Sequence, residues 1–346
     1  MSLQRFPGLI DAHVHLREPG ATHKEDFYSG SRAAVAGGFA FIIDMPNNPT
    51  PTITADALAE KIELSKKAMC DIGFHFGTNG KNLEEFPKVW GNPRVFGLKI
   101  YCNHTTGEML IEDKALLQKV FEAWESDKPI LVHAEGEQLE TALHLAKKFG
   151  RRLHVCHISQ ASEVALVRRA KEAGEPVTAG VCPHHLYFTK DSVFKTPGFG
   201  IMKPPLGTQA DQDALWEGIL DNTIDIVETD HAPHTIEEKT KTPPAFGVPG
   251  LETALGCLWK AVRDGRLDEG DVVNLLYNNP KKIFEVPELL ETYVELDPEE
   301  PWTVGEGGYE TKCGWSPFEG MTLYGKPKKV VIKGQVVLED GKILEK

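Results

Sequence analysis

Several of the thirteen histidines fall where they could act together: His13 and His15 one residue apart, His133 and His157 standing singly, and His231 and His234 beside Asp230. Neutral imidazoles with a carboxylate are ligands for a transition-metal ion. His13, His15, His133, His157 and Asp230 are too many for one tetrahedral ion that keeps a position open for water, so a two-metal site follows. Lys99 is the odd member, because an ammonium is repelled by cations and has no lone pair to offer. It fits such a site only with its charge reversed, as a carbamate formed with carbon dioxide whose two oxygens bridge the ions. Taken alone, Lys99 also reads as an exposed strand-end lysine or a Schiff-base lysine.

These residues need a scaffold that brings distant positions together. Eight β-rich apolar runs, 9–16, 39–45, 72–78, 95–101, 130–134, 153–158, 177–182 and 224–229, alternate with helical stretches such as 55–68, 114–126, 137–149, 162–173 and 209–220. Alternation of this kind predicts an α/β fold with a parallel sheet, and eight units in this length predict a TIM (β/α)8 barrel. Thr54 and Gly174 stand where an N-cap and a C′ residue belong. In such a barrel chemistry sits at the C-terminal ends of the strands, where His13, His15, Lys99, His133, His157 and Asp230 all fall. Two-residue alternation puts His13 and His15 on one face.

Residues 1–285 read as the barrel, with almost nothing before its first strand, and 286–346 as a packed extension that is rich in Pro, Gly and Glu before it turns β-like. In that extension turns are expected at Lys333-Gly334 and Asp340-Gly341. The chain has 346 residues, with 38 basic against 51 acidic side chains and a net charge of −13, which argues against a nucleic-acid partner. No apolar run is long enough for a membrane helix, so a cytoplasmic location and no membrane partner are expected. Cys70, Cys102, Cys156, Cys182, Cys257 and Cys313 are scattered without a CxxC pair and read as reduced, packed thiols.

Six segments carry a family resemblance: DAHVHLREPGATHKED (11–26), MPN (45–47), GLK (97–99), CPHHL (182–186), TDHAPH (229–234) and PGLET (249–253). With WSPFEG (315–320), they resemble the dihydroorotases of the amidohydrolase superfamily, particularly the dihydroorotase domain of the animal multifunctional pyrimidine protein. The resemblance implies reversible hydrolysis of L-dihydroorotate to N-carbamoyl-L-aspartate, the third step of de novo pyrimidine synthesis. It implies two divalent ions, zinc by expectation, with His13, His15, Lys99 and Asp230 around one and carboxylated Lys99, His133 and His157 around the other. A hydroxide bridging two such ions is a nucleophile at neutral pH, and Asp230 is the expected general base and acid. Arg17 is expected to grip the substrate carboxylate, with Asn47 and His234 completing that pocket. The loop Gly247, Pro249, Gly250 would offer backbone groups to the ring. Homodimerisation and association with aspartate transcarbamoylase are further expectations of the resemblance.

Three positions depart from the family pattern. Lys203 stands where relatives place Arg or Asn, so a substrate contact there would be a point charge. Gly180 replaces a glutamate associated with a third zinc, so two metals are expected. Thr105 and Thr106 align with a loop that closes over substrate in relatives and often carries an aromatic residue. The competing readings are a dihydropyrimidinase, hydantoinase or allantoinase, and a catalytically silent partner subunit. Among single residues, Arg17 could pair with Glu18, Glu25 or Asp26, Asn47 could merely shape its proline-rich turn, and His184 and His185 read as structural.

Overall fold

The computed structural model describes residues 3–105, 107 and 109–345. A short strand, β1 (Gln4–Pro7), precedes eight parallel strands: β2 (Leu9–Val14), β3 (Phe39–Asp44), β4 (Asp71–Gly77), β5 (Val95–Tyr101), β6 (Ile130–His133), β7 (Leu153–Val155), β8 (Val177–Val181) and β9 (Ile226–Val227). They pair in chain order. A parallel bridge between Val14 and His231, with the His15 amide donating to the His231 carbonyl at 2.8 Å, closes the ring from β9 back to β2. The expected barrel is present.

Two apolar layers explain why these runs read as nearly continuous hydrophobic segments. Ile42, Leu98, Val132 and Val155 pack with Leu58, Leu117, Leu139 and Val164 of the surrounding helices, while Ile10, Phe41, Ile43, Phe96, Leu131 and Ile226 form a second cluster with Ile283, Phe284 and Val286. The second cluster fills the barrel interior, leaving the opposite end for polar groups. Burying each such side chain contributes roughly 1.5–3 kcal/mol.

Strand ends shorten wherever a side chain takes over the backbone partner. Strand β9 stops early because the Thr229 amide donates to Asp11 Oδ1 at 3.2 Å, and the Leu16 amide, beyond β2, donates to Asp44 Oδ1 at 2.8 Å. Thr54 caps the helix Ala55–Leu64 through the Ala57 amide at 3.1 Å, and Gly174 adopts the left-handed conformation, φ 74°, just past the helix Ala161–Glu172.

The C-terminal residues form β10 (Tyr293–Leu296), β11 (Pro301–Thr303), β12 (Thr322–Tyr324), β13 (Pro327–Ile332), β14 (Gln335–Glu339) and β15 (Lys342–Ile343). Strands β11 and β12 pair with each other, and the larger sheet runs β1-β10-β13-β14-β15. Both expected turns are present with paired positive φ, 52° and 74° at Lys333-Gly334 and 51° and 71° at Asp340-Gly341, which matches the right-handed twist of a hairpin. Strand β1 was not anticipated, since QRFP is short and only partly buried; it pairs antiparallel with β10, so this sheet draws on both ends of the chain.

Candidate active site

The polar end of the barrel gathers the residues singled out by type and spacing. His15 Nε2 lies 2.9 Å and His13 Nε2 3.4 Å from Asp230 Oδ1, and His133 Nδ1 faces His157 Nε2 at 3.1 Å. The His13 and His157 rings are 5.0 Å apart between centroids, which joins the two pairs. Lys99 is fully buried among them, its Nζ 3.1 Å from Cys156 Sγ. Three residues at this end, Arg17 (φ 63°), His157 (φ 35°) and Asp230 (φ 45°), hold left-handed backbone that favours glycine, a strain that collects at working sites.

Burial sets the protonation states. It lowers His15 to about 4, and with Lys99 nearby it lowers His133 to about 3, so both imidazoles are neutral at pH 7 with a lone pair available. Asp230 responds oppositely. Burial opposes its charge, but His13 and His15 outweigh that and hold the carboxyl well below the usual carboxylate range.

Beside this cluster opens a cavity of about 460 Å³ lined by His15, Arg17, Lys24, Asn47 and Met109 among others. The Arg17 guanidinium is buried, donating to the Pro233 carbonyl at 3.1 Å and to His234 Nε2 at 3.2 Å. Among the described residues it pairs with no carboxylate: Glu18 pairs with Lys67, Asp26 with Lys312, and Glu25 accepts from Ser29 and Thr311. Asn47 contacts His15 Nδ1 through its Oδ1 at 2.8 Å, so it orients a ring as well as shaping a turn. Lys203, Thr105 and Gly247 share a smaller cleft with Arg17 and Asp230; Thr106 lies outside the described residues.

The loop expected to meet the substrate ring divides. A Cβ at Gly247, φ 123°, would stand 2.7 Å from the Ala232 carbonyl oxygen, so only glycine fits that approach. Pro249 and Gly250 instead line a separate small cavity, the Gly250 amide donating to His231 Nδ1 at 3.2 Å. Lys239, which sequence reasoning passed over, pins this region by donating to the carbonyls of Ile201, Ala245 and Gly247 at 2.7–2.8 Å.

A family model described as the amidohydrolase family matches residues 6–337. The chain belongs to the amidohydrolase family. It is 42% identical over 345 residues to the multifunctional protein CAD of Squalus acanthias, covering 99% of this chain and 15% of that one, so it spans a minor part of that relative. It is 34% identical to the dihydroorotase of Pyrococcus abyssi, over 99% of this chain and 85% of that protein. Similar solved structures include an L-hydantoinase from Arthrobacter aurescens (TM-score 0.93, 26% identity, 99% and 87% covered). Another is an inactive dihydroorotase-like domain of the CAD-like multifunctional protein of Chaetomium thermophilum (TM-score 0.83, 28% identity, 99% and 97% covered).

Amidohydrolases are metal-dependent, and the donor atoms here suit that chemistry. His133 Nε2 and His157 Nδ1 are buried without a hydrogen-bond partner, each a loss of roughly 1–3 kcal/mol in a site made only of protein. His13, His157 and Asp230 present ligand atoms within 4.8 Å of one another. A buried carboxylate overlooked in the sequence, Glu228, lies against the same imidazoles, 3.6 Å from His13 Nδ1. Its signal was present: two-residue alternation gives Glu228 the same facing as Asp230.

Proposed function

We propose that the chain is a dihydroorotase, interconverting L-dihydroorotate and N-carbamoyl-L-aspartate, the third step of de novo pyrimidine synthesis. Arg17 carries this reading. A buried guanidinium without a carboxylate partner among the described residues, opening onto a cavity beside the candidate metal cluster, calls for an anionic substrate. A neutral ring such as dihydrouracil would leave that charge unpaired. The name carried by the Pyrococcus abyssi relative agrees.

In this reading two divalent ions, zinc by expectation, are held by His13, His15, Lys99 and Asp230 and by Lys99, His133 and His157, with Lys99 as a carbamate. Bound there, such ions supply Lewis acidity and make water nucleophilic at neutral pH. The protein's own groups do the rest. The fork of Arg17 takes the substrate carboxylate in two parallel hydrogen bonds. His234, kept neutral chiefly by burial and then by Arg17, and Asn47 complete that pocket, with Lys203 adding a positive charge. Asp230, held as a carboxylate, takes a proton from the attacking water and returns it to the departing ring nitrogen.

Hydrolysis rates for dihydroorotate, dihydrouracil and allantoin test the assignment: dihydroorotate is the preferred substrate, and preference for either other ring overturns it. The likeness to an inactive dihydroorotase-like domain favours a second reading, a silent subunit. All six ligand residues are nevertheless present here, and full metal loading without turnover in either direction would establish the silent role. Lys99→Ala abolishes binuclear metal binding, and unchanged metal content refutes the bridging lysine. Pairing of two copies, or docking to an aspartate transcarbamoylase, belongs to the same reading, with light scattering of the protein alone and mixed with that enzyme as its check.

A further inference from the structure

Glu228 is wholly buried, and an ionised carboxylate in such a place is costly unless its partners are well placed. Its partners belong to the candidate metal centre. Oε1 accepts from the backbone amide of His157 at 2.5 Å, while Oε2 lies 3.6 Å from His13 Nδ1 and 3.4 Å from His154 Nε2. The His13 ring therefore stands between two carboxylates, with Nε2 toward Asp230 and Nδ1 toward Glu228. Neutral imidazole carries one proton. Glu228 is 3.6 Å from Nδ1, longer than a hydrogen bond, but its charge favours the tautomer with the proton there, which leaves the Nε2 lone pair for the cluster it faces. The second contact matters separately, because His157 holds φ 35° without being glycine, and the hydrogen bond to its amide restrains that strained backbone.

A neighbouring strand has made room. A Cβ on Gly180 would stand 2.6 Å from the Glu228 carboxyl carbon and from Oε1, so the carboxylate occupies the volume a side chain on β8 would fill. We propose that Glu228 is a positioning residue of the metal centre, fixing the tautomer of His13 and the backbone of His157, and that Gly180 is the gap that admits it.

This inference rests on the dihydroorotase reading only for the identity of the substrate. Its test is zinc affinity, measured by chelator competition on the intact chain, together with zinc content and the pH profile of kcat. Glu228→Gln keeps the shape and removes the charge; Gly180→Ala leaves the carboxylate and displaces it. Both should fold, as circular dichroism checks, and both should weaken zinc binding or lower kcat by roughly 10–100-fold, with two zinc ions retained at saturation in wild type and variants. Wild-type affinity and an unchanged pH profile in Glu228→Gln would overturn the proposal. So would three zinc ions in the wild type with one lost in Glu228→Gln, since Glu228 and Cys156 would then be ligands beside His13. A wild type that binds two zinc ions but prefers another cyclic amide overturns the substrate and leaves the role of Glu228 standing. One that binds no zinc overturns both.

Discussion

Arg17 keeps its charge in a place where burial works against it, and in the proposed reading the substrate carboxylate offsets that cost. Arg17→Met is expected to raise KM for dihydroorotate by roughly 100-fold, the equivalent of about 3 kcal/mol for charge-assisted hydrogen bonds, with a smaller change in kcat. Arg17→Lys restores charge without the fork and should recover only part of the loss. Steady-state kinetics on both variants check this, and an unchanged KM in Arg17→Met would move the carboxylate site elsewhere. His234 prepares the guanidinium for this role: Arg17 donates to its Nε2 while its Nδ1 lies 3.1 Å from Glu238, which fixes the ring.

Two elements show how the barrel holds its loops. Lys61, on the helix Ala55–Leu64, is fully buried and reaches Asp44 at the end of β3 (2.7 Å), the Met45 carbonyl (2.7 Å) and Asn48 Oδ1 (2.7 Å), tying down the turn that carries Asn47. Lys61→Met leaves Asp44 buried and unpaired and should cost about 3–5 kcal/mol, read by urea denaturation; adding Asp44→Asn should return much of it. Glu163, at the start of the helix Ala161–Glu172, accepts from the amides of Ser159 and Gln160, yet burial outweighs both and lifts its carboxyl from 4.5 to about 7. The native state thus holds this proton more tightly than the unfolded chain. Its contribution to stability is full below about pH 4.5 and is lost as pH rises through about 7, and Glu163→Gln should flatten that part of the stability profile. The sequence pattern reaches elements of this regular kind well: the run 95–101 and the helices Glu137–Phe149 and Gln209–Leu220 coincide with their expected bounds. Periodicity specifies them locally. It could not foresee that Asp11 would take the Thr229 amide, that β1 would pair across the chain, or that Gly180 matters through a carboxylate on the next strand. Likewise the gathering of His13, His15, His133, His157 and Asp230 was legible from residue type and strand position, and Glu228 from its alternation with Asp230, whereas Lys239 makes tertiary contacts that no spacing encodes.

Across the whole molecule, the C-terminal segment is fastened to the mouth of the barrel. Arg32 pairs with Glu310 (2.7 Å), Lys312 with Asp26 (2.5 Å), and Trp315 Nε1 donates to the His234 carbonyl at 2.8 Å while its ring stacks on Phe199 at 4.1 Å. A remote segment therefore helps hold the backbone of His234, the histidine proposed for the substrate pocket. Trp315→Phe keeps an aromatic ring but loses that hydrogen bond; it should cost about 1 kcal/mol of stability and raise KM several-fold more than it lowers kcat. An unaltered KM would make the contact purely structural. The chain as a whole is acidic, at −13, while its pocket presents Arg17, Lys24 and Lys203, so the positive character that would draw in an anionic substrate is local. The pairing of β1 with β10 also governs when the satellite sheet can form. Arg5 and Glu295 meet across 290 positions, and at roughly 5–20 residues per second the ribosome needs about 15–60 s to make the second after the first. Throughout that interval β1 emerges without its partner, and the satellite sheet can close only after β10 has been made.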